Sequence, residues 1–223
     1  MIRQLHVVEC DSTQDVLKEQ LKDAPPIEGL LVSCDRQLQG RGRGQNVWSD
    51  LPGTLCFSLS LAPHPAPSFT AIELSVLIAK FFEGSRLGLK WPNDIWNAQK
   101  KKCCGILVQN HHQIMCAGIG INLWSDHPEF GGISDSAFEF DKKAWALEIA
   151  SFIVQNRFND VATLKKEWED FCWHMHKEVV ITEGAESVEG LFLGLGQYGE
   201  AVLATTEGEK RLFNGSLRLI TDR

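Results

Sequence analysis

The pattern of apolar residues changes near Glu178, and this change limits the possible folds more than any other feature of the chain. Before it, apolar stripes with helical spacing alternate with strand-like runs, such as the period-2 alternation of leucine and phenylalanine over residues 55–61. After it, short apolar runs are separated by glycine turns at spacings of about ten residues. We therefore predict a mixed α/β domain over residues 1–177 and a small antiparallel β-barrel over residues 178–223.

Local signals predict several elements of the larger domain. Ser12 and Asp15 are spaced like a capping box, so a helix should begin near Ser12. A second helix should begin at Ser68 and stop at Gly84, and the pair His111 and His112 should form the turn of a hairpin. Aromatic stripes predict two further helices, over residues 145–153 and 161–172.

The composition excludes several classes of function. The chain has 22 basic and 29 acidic side chains and a formal charge of −7, which argues against a general nucleic-acid-binding protein. No apolar run has the length of a signal peptide or a membrane span, so no membrane association is expected. Seven cysteines, an odd number without a disulfide pattern, predict a reducing, cytoplasmic location.

The segment QGRGRGQNVW is the first candidate for ligand binding. Its glycines, Gly40, Gly42 and Gly44, permit positive φ angles and close approach of the backbone to a ligand. Arg41 and Arg43 carry planar cationic groups that suit carboxylates and phosphates. The spacing fits neither the dinucleotide fingerprint nor a phosphate-binding P-loop. A solvated flexible loop remains an equal alternative at this point.

Two further segments carry polar residues at the ends of predicted strands. In KWPNDIW, the proline ends a strand, so Asn93 and Asp94 can point into a pocket where a carboxylate would suit Mg²⁺ beside phosphates. In KKCCGILV, Lys101 and Lys102 precede an apolar strand and can place a fixed positive charge in the same pocket. A simple turn and two solvated lysines are the respective alternatives.

Taken together and in order, the segments DSTQ, RQLQGRGRGQNVW, KWPND, KKCCGILV, GIGIN and GSLRL resemble the biotin–protein ligase family over nearly the whole chain. The resemblance implies an ATP-dependent enzyme that converts biotin to biotinyl-AMP and transfers it to a lysine of a biotin carboxyl carrier protein. It also implies a mixed-sheet catalytic domain followed by an SH3-like barrel. Two features depart from many bacterial members: glycine, glutamine and asparagine follow the second arginine of the loop, and Gln109 stands where those members have a glutamate.

The resemblance also assigns roles to individual residues. Arg41, Arg43 and Lys102 would be catalytic. Biotin would be bound by Ser12, Thr13, Gln14, Gln37, Arg41, Gly42, Arg43 and Lys102. ATP would be bound by Gly40, Trp48, Lys90, Asn93, Asp94, Asn122 and Arg218, with Asp94 also a ligand of Mg²⁺.

The resemblance sets the expected partners and the rival functions. The expected partners are biotin, ATP and the carrier protein, and the chain should be a monomer or a weak homodimer. Because the ligase motifs start close to Met1, we expect no DNA-binding domain and no repressor function. The nearest alternative is a lipoate–protein ligase or octanoyl transferase of the same superfamily, and a non-catalytic nucleic-acid-binding module is a more distant one.

Overall fold

A computed structural model describes residues 2–22, 27–44 and 46–220 of the chain. The strands are β1 (Arg3–Cys10), β2 (Leu30–Gln37), β3 (Gly40–Arg41), β4 (Val47–Trp48), β5 (Thr54–Leu61), β6 (Gly88–Lys90), β7 (Asp94–Trp96), β8 (Lys102–His111), β9 (Ile114–Asn122), β10 (Glu178–Glu183), β11 (Glu186–Leu195), β12 (Ala201–Thr205), β13 (Gly208–Leu212) and β14 (Ser216–Leu219). The helices are α1 (Thr13–Leu21), α2 (Thr70–Phe81), α3 (Lys142–Gln155) and α4 (Val161–Phe171), and a 3-10 turn, Pro67–Phe69, precedes α2.

Seven strands form a mixed central sheet in the order β1-β2-β5-β9-β8-β7-β6. Strands β1 and β2 are parallel, and every other neighbouring pair in this sheet is antiparallel. The predicted hairpin is confirmed, but its turn lies one residue later than expected, because His111 pairs with Ile114 and the turn is formed by His112 and Gln113, which both have positive φ angles. This is the backbone that a tight two-residue hairpin turn requires.

Helices cover both faces of the central sheet. Helix α1 packs with alternate side chains of β2 and β9 in one small cluster that includes Leu17, Val32 and Cys116. On the other face, α3 packs on β2 and β5 and α2 packs on β8, and both helices share one apolar cluster with the leucine and phenylalanine side chains of β5. The alternation over residues 55–61 thus predicted the strand and its inner face correctly. The opposite face of β5 is buried as well, which the alternation alone did not indicate.

The last five strands form a separate antiparallel sheet in the order β13-β12-β11-β10-β14, beginning at Glu178. The mixed α/β class with a C-terminal β-unit is therefore confirmed. This five-stranded antiparallel sheet is consistent with the predicted small SH3-like unit, although among the described residues β13 and β14 do not pair with each other to close it. Its buried side chains, such as Phe192 and Leu203, belong to the same apolar cluster as the large helices, which joins the two sheets through one core.

Helix starts differ in detail from the prediction. Ser12 is the N-cap of α1, but its side chain makes no capping hydrogen bond, and Asp15 pairs with Arg41 rather than closing a capping box. Helix α2 begins at Thr70 rather than Ser68, since a 3-10 turn precedes it. None of the helices within the described ranges has the length and apolar character needed to cross a membrane.

Candidate active site

A cavity of about 820 Å³, which we call the first cavity, opens between the central sheet, the β3–β4 hairpin and the second sheet. Strands β8 and β9 form its floor, and the residues just before α1 line one end. Residues 182–184 and 213–217 of the second sheet close the opposite side. The three candidate segments of the sequence therefore meet in one place, together with a fourth segment from the C-terminal sheet.

One end of the first cavity is a neutral polar pocket. The backbone N–H of Thr13, at the start of α1, donates to Oε1 of Gln37 at the end of β2 (2.9 Å). The Thr13 hydroxyl lies 2.8 Å from the hydroxyl of Ser58 on β5. Gln37 is fixed from behind, because its own N–H donates to Asp50 (2.6 Å), whose pKa is raised by burial.

Two more side chains complete this polar pocket. Nε2 of Gln14 donates to the carbonyls of Cys116 (2.8 Å) and Leu107 (3.1 Å), which holds its amide against the floor strands. Cys56 lines the pocket beside Gln37, and burial raises the pKa of its thiol. A buried thiol of this kind is protonated at neutral pH and is not a nucleophile.

The floor of the first cavity is shaped by two glycines that face each other on β8 and β9. Gly105 pairs with Gly120, and the indole of Trp48 lies across both. A Cβ atom on Gly120 would lie 2.3 Å from Cε2 of Trp48, and one on Gly105 would lie 3.0 Å from its Cζ3. Because a side chain at either position would displace the ring, the absence of side chains at these two glycines allows Trp48 to pack on the floor.

A lysine–aspartate pair lies beside this floor. Nζ of Lys102, the first residue of β8, is 2.7 Å from Oδ1 of Asp94, the first residue of β7. The same ammonium group lies 5.6 Å from the centre of the Trp48 ring. Both side chains of the ion pair are partly shielded, with 30% and 21% of their surface exposed. The pair presents a positive group held in a fixed place on a strand.

Arg43 reaches from the hairpin across the first cavity. Its Nη1 donates to Oδ1 of Asn93 (3.3 Å) and to the carbonyl of Gly215 in the second sheet (3.3 Å). Burial lowers the pKa of Arg43, while the charges of Asp94 and Glu183 raise it. A guanidinium with partners on both sheets connects the hairpin to the two sides of the cavity.

Arg41 lies on the outer side of the hairpin and forms an ion pair with Asp15 of α1. More than half of its side chain is exposed, so this pair contributes little to the stability of the fold. Its effect is to anchor the hairpin to the helix start that carries the polar pocket.

Comparison with known proteins identifies the family. The family model of the biotin/lipoate A/B protein ligase family matches residues 7–124, which is more than half of the chain. The chain belongs to this family. The matched range contains the polar pocket, the hairpin, the lysine–aspartate pair and the glycine floor.

Relatives within the ligase family align over most of the chain. The bifunctional ligase/repressor BirA of Bacillus subtilis (strain 168) is 27% identical over 233 residues, covering 93% of this chain and 71% of that protein. The biotin--[acetyl-CoA-carboxylase] ligase of Paracoccus denitrificans is 24% identical over 228 residues, covering 89% of this chain and 94% of that protein. Among solved structures, the biotin protein ligase from Aquifex aeolicus in complex with biotin and ATP is 29% identical, with a TM-score of 0.76 over 98% of this chain and 100% of that chain.

The first cavity brings together most of the residues that the resemblance to biotin–protein ligases assigned to binding or catalysis. The residues on its wall are Ser12, Thr13, Gln14, Gln37, Arg41, Gly42, Arg43, Trp48, Lys90, Asn93, Asp94 and Lys102. Gly40 lies behind them, packed so closely against the carbonyl of Trp48 that a Cβ atom would come within 2.4 Å of it.

Two of the expected ligand-binding residues lie elsewhere. Asn122 is buried at the end of β9, where its Oδ1 accepts a hydrogen bond from the hydroxyl of Thr54 (2.8 Å), so it ties two strands together and does not reach the first cavity. Ser216 of β14 lines the first cavity. Arg218, two residues further along the same strand, lies instead on the wall of a separate cavity of about 680 Å³.

The expected magnesium ligand is not arranged as a protein-only metal site. The Oδ1 of Asp94 is occupied by Lys102, and Oδ1 of the neighbouring Asn93 accepts from Arg43. In the described ranges no three His, Cys, Asp or Glu side chains come together as metal ligands. These residues do not fit a resident Mg²⁺, so we treat the ion as part of the nucleotide substrate.

Sequence reasoning missed the residues of the floor and of the pocket wall. Gly105 and Gly120 were interpreted only as part of apolar strands, although glycine inside a strand is a known signal of close approach by another group. Ser58 was missed because the prediction used only the leucine and phenylalanine face of β5, whereas Cys56 and Ser58 on the other face line the cavity.

Proposed function

We propose that this chain is an ATP-dependent biotin–protein ligase that acts on the biotin carboxyl carrier protein of a biotin-dependent carboxylase. The observation that carries the proposal is the union, in one cavity, of a neutral polar pocket with a group of cations. The fold likeness to a biotin protein ligase solved with biotin and ATP supports it, because that protein aligns over its whole length. The carrier is proposed from the Paracoccus relative, whose name specifies acetyl-CoA carboxylase.

The polar pocket suits the ring system of biotin. A cyclic urea offers two N–H donors and one carbonyl acceptor, and it is neutral. The hydroxyls of Thr13 and Ser58 and the amide of Gln37 provide both acceptors and donors within one small volume. The indole of Trp48 provides an apolar surface for the hydrocarbon tail. This combination of an apolar wall and a few fixed polar groups is typical of small-molecule sites.

The other end of the first cavity suits two anions. Its wall carries four cations, Arg41, Arg43, Lys90 and Lys102, whereas Asp94 and Glu183 provide the only carboxylates on the described part of the wall. The carboxylate of biotin and the triphosphate of ATP repel each other in solution. Fixed cations between them remove that repulsion and stabilise charge that builds in the transition state.

The first reaction step follows from this arrangement. A carboxylate oxygen of biotin attacks the α-phosphorus of ATP, the new oxygen–phosphorus bond forms, and the bond to the β,γ-pyrophosphate breaks. The electron pair of the broken bond leaves with pyrophosphate. We assign Lys102 and Arg43 to the charge on the α-phosphate, because one is held by β8 and the other bridges the two sheets.

The β3–β4 hairpin acts as a cover in this proposal. Biotinyl-AMP is a mixed anhydride, which water hydrolyses, so it must be kept from solvent until the carrier arrives. The hairpin is joined to α1 by Arg41 and Asp15 and to the second sheet by Arg43 and Gly215. Contacts on both sides let a short hairpin exclude water from the reacting atoms.

The second step transfers biotin to the lysine amine of the carrier. The amine attacks the acyl carbonyl, the carbon–nitrogen bond forms, and AMP leaves. The amine must lose a proton, and we assign Asp94 to accept it because its carboxylate lies beside Lys102 on the cavity wall.

Several further aspects of the function are proposals of the same kind. We propose catalysis without repression, supported by the net charge of −7. A cytoplasmic location is supported by the seven cysteines, all of which are free thiols. We keep the division at residues 177 and 178 as a proposal, supported by the start of the second sheet at Glu178. We also keep the proposed oligomeric state, a monomer or a weak homodimer.

The test is ATP–pyrophosphate exchange with biotin and lipoate side by side. We expect exchange that depends on biotin and is absent with lipoate. Exchange with lipoate but not with biotin would instead indicate a lipoate–protein ligase, the other activity in the name of the family. Absence of exchange with either acid, in a folded protein supplied with ATP and Mg²⁺, would reject the proposed function.

A further inference from the structure

A second cavity of about 680 Å³ adjoins the first, between the edge of the central sheet and the second sheet. Residues 88–90 of β6 form one wall, and Trp173 and Lys177, which follow α4, form another. Trp173 packs directly on β6 because Gly88 has no side chain, and a Cβ atom there would lie 2.0 Å from the indole. The cavity is therefore a partly open space between packed elements, and Lys100, Lys177 and Arg218 on its wall are exposed.

The wall of the second cavity is strongly basic in an acidic protein. It carries Lys90, Lys100, Lys177 and Arg218, with Glu189 as its one carboxylate among the described residues. The chain as a whole has a formal charge of −7. Lys100, Lys177 and Arg218 form no ion pair with any described residue. Neighbouring cations repel one another, and a bound anion reduces that repulsion.

The position of Lys100 is fixed by the backbone. It occupies the turn between β7 and β8 with a φ of 57°, in the left-handed region that non-glycine residues rarely adopt. Its N–H donates to the carbonyl of Asn97 (2.9 Å), and Nδ2 of Asn97 donates to the carbonyl of Gly132. The turn that carries this cation is thus closed by its own backbone and held to the neighbouring segment at Gly132.

A second, independent observation concerns ring nitrogens in the same wall. Nε2 of His174, a residue with 2% of its surface exposed, is buried without a hydrogen-bond partner, and so is Nε1 of Trp96. Burial and the nearby charges of Lys90 and Lys177 lower the pKa of His174 to about 3. His174 is consequently neutral at pH 7 and adds hydrogen-bonding capacity but no charge.

The two cavities share a wall. Lys90, Thr182 and Leu217 line both of them. An anion that is released in the first cavity, near the second sheet, is therefore next to the cationic second cavity as well as to solvent.

We propose that the second cavity binds polyanions of the pyrophosphate class, and that it receives the pyrophosphate released when the adenylate forms. The second half of this statement rests on the proposed function, whereas the first half does not. Pyrophosphate leaves with the electron pair of the broken phosphorus–oxygen bond and carries up to four negative charges. Capture of this product beside the reacting centre favours adenylate formation over the reverse reaction.

The direct test is calorimetric binding of inorganic pyrophosphate to the full chain without biotin or ATP. Lys177→Gln and Lys100→Gln should each weaken binding about tenfold, the loss expected for one charge-assisted contact. Lys166→Gln, which removes the same charge from the exposed part of α4, should leave the dissociation constant unchanged. Inorganic phosphate, with fewer charges, should bind more weakly than pyrophosphate to the unmodified protein.

Kinetics separate this proposal from the proposed function. In ATP–pyrophosphate exchange, Lys177→Gln should raise KM for pyrophosphate about tenfold and leave KM for biotin unchanged. Pyrophosphate binding that is absent, or equal in all three variants and the unmodified chain, would overturn the second site even if exchange is normal. Binding that weakens as expected in a protein without exchange activity would retain the site and reject only its link to the ligase reaction.

Discussion

Two glycine-rich regions meet at the first cavity, and they use glycine for different reasons. In the β3–β4 hairpin, Gly44 is exposed with a φ of 62°, and a Cβ atom added to it would have no neighbour within 4 Å, so its role is backbone freedom. On the floor, Gly120 is buried in an extended strand, and its role is the absence of a side chain under Trp48. One region allows the chain to bend, and the other leaves space for a ring.

Each region also supplies a cation to the cavity. The floor provides Lys102, which lies in a regular strand and pairs with Asp94. The hairpin provides Arg43, which lies in a turn and is positioned by its hydrogen bonds to Asn93 and Gly215. From this difference we expect a division of roles, in which the floor controls formation of the adenylate and the hairpin controls its retention. The following predictions test that division.

The largest effect is expected from Lys102→Ala. Removing a fixed cation that acts on the transition state should lower biotin-dependent exchange by a factor on the order of 10² to 10³. The matched control is Lys101→Ala, which removes the neighbouring lysine and should retain nearly normal exchange. Comparable losses in both variants, or near-normal exchange in Lys102→Ala, would refute the assignment of Lys102.

Arg43→Gly should impair retention of biotinyl-AMP more than its formation, because Lys102 remains to stabilise the charge on the α-phosphate. It removes a contact to the second sheet and adds a further glycine, so the closed hairpin becomes weaker and costs more entropy to form. A loss of about 2–3 kcal/mol would raise escape of biotinyl-AMP roughly 30- to 150-fold. The measurement is labelling of albumin in the presence of biotin and ATP, detected with streptavidin.

Arg43→Gln separates charge from flexibility in the same assay. It removes the cation without adding backbone freedom, so albumin labelling should fall between that of the unmodified protein and Arg43→Gly. If Arg43→Gly forms the adenylate yet leaves albumin unlabelled, the hairpin is not the retaining element, and the proposed division of roles fails.

A smaller effect is expected at the floor itself from Gly120→Ala. The added Cβ atom would lie 2.3 Å from Trp48, so the indole must move. We expect a loss of about 1–3 kcal/mol in the free energy of unfolding and a rise in KM for biotin on the order of tenfold. The check is thermal unfolding of Gly120→Ala, Trp48→Leu and the double variant. Because Trp48→Leu removes the clash, the double variant should lose less unfolding free energy than the two single variants lose together. Strict additivity would argue against the contact.

The smallest effect is expected from the same substitution in the hairpin, Gly44→Ala. Nothing surrounds the new methyl group, so only the positive φ opposes it, at a cost of about 1 kcal/mol. Exchange activity should stay within about twofold of normal. A loss as large as that of Gly120→Ala would mean that the two regions do not differ in the way described.

Much of the fold was accessible from local patterns. The strand over residues 55–61, the hairpin turn near His112 and the start of the C-terminal strands near Glu178 each depend on period, turn residues or glycine spacing within a short window. These signals survive in the structure because they reflect backbone geometry and the burial of one face. The helix start at Thr70 was missed because the 3-10 turn before it has the same local appearance as a helix.

Contacts between distant segments depend on the tertiary structure and could not be predicted from local patterns. Asp15 has the spacing of a capping residue, yet it pairs with Arg41, because the folded chain places a cation within its reach. Arg218 lies within the segment GSLRL, which the resemblance links to the nucleotide, yet β14 places it on the wall of the second cavity. Local sequence contains no information about which of two possible partners will be near.

The sequence by itself determined the alternation of elements, the resemblance to biotin–protein ligases and the chemical types of residue available for an anionic substrate. Only the tertiary structure decided that Trp48 would rest on Gly105 and Gly120, that Lys102 would pair with Asp94, and that the cations would divide between two adjoining cavities. The physical reason is that periodicity records how one segment meets the core, whereas a site depends on the relative positions of segments that only the packed sheets and helices bring together.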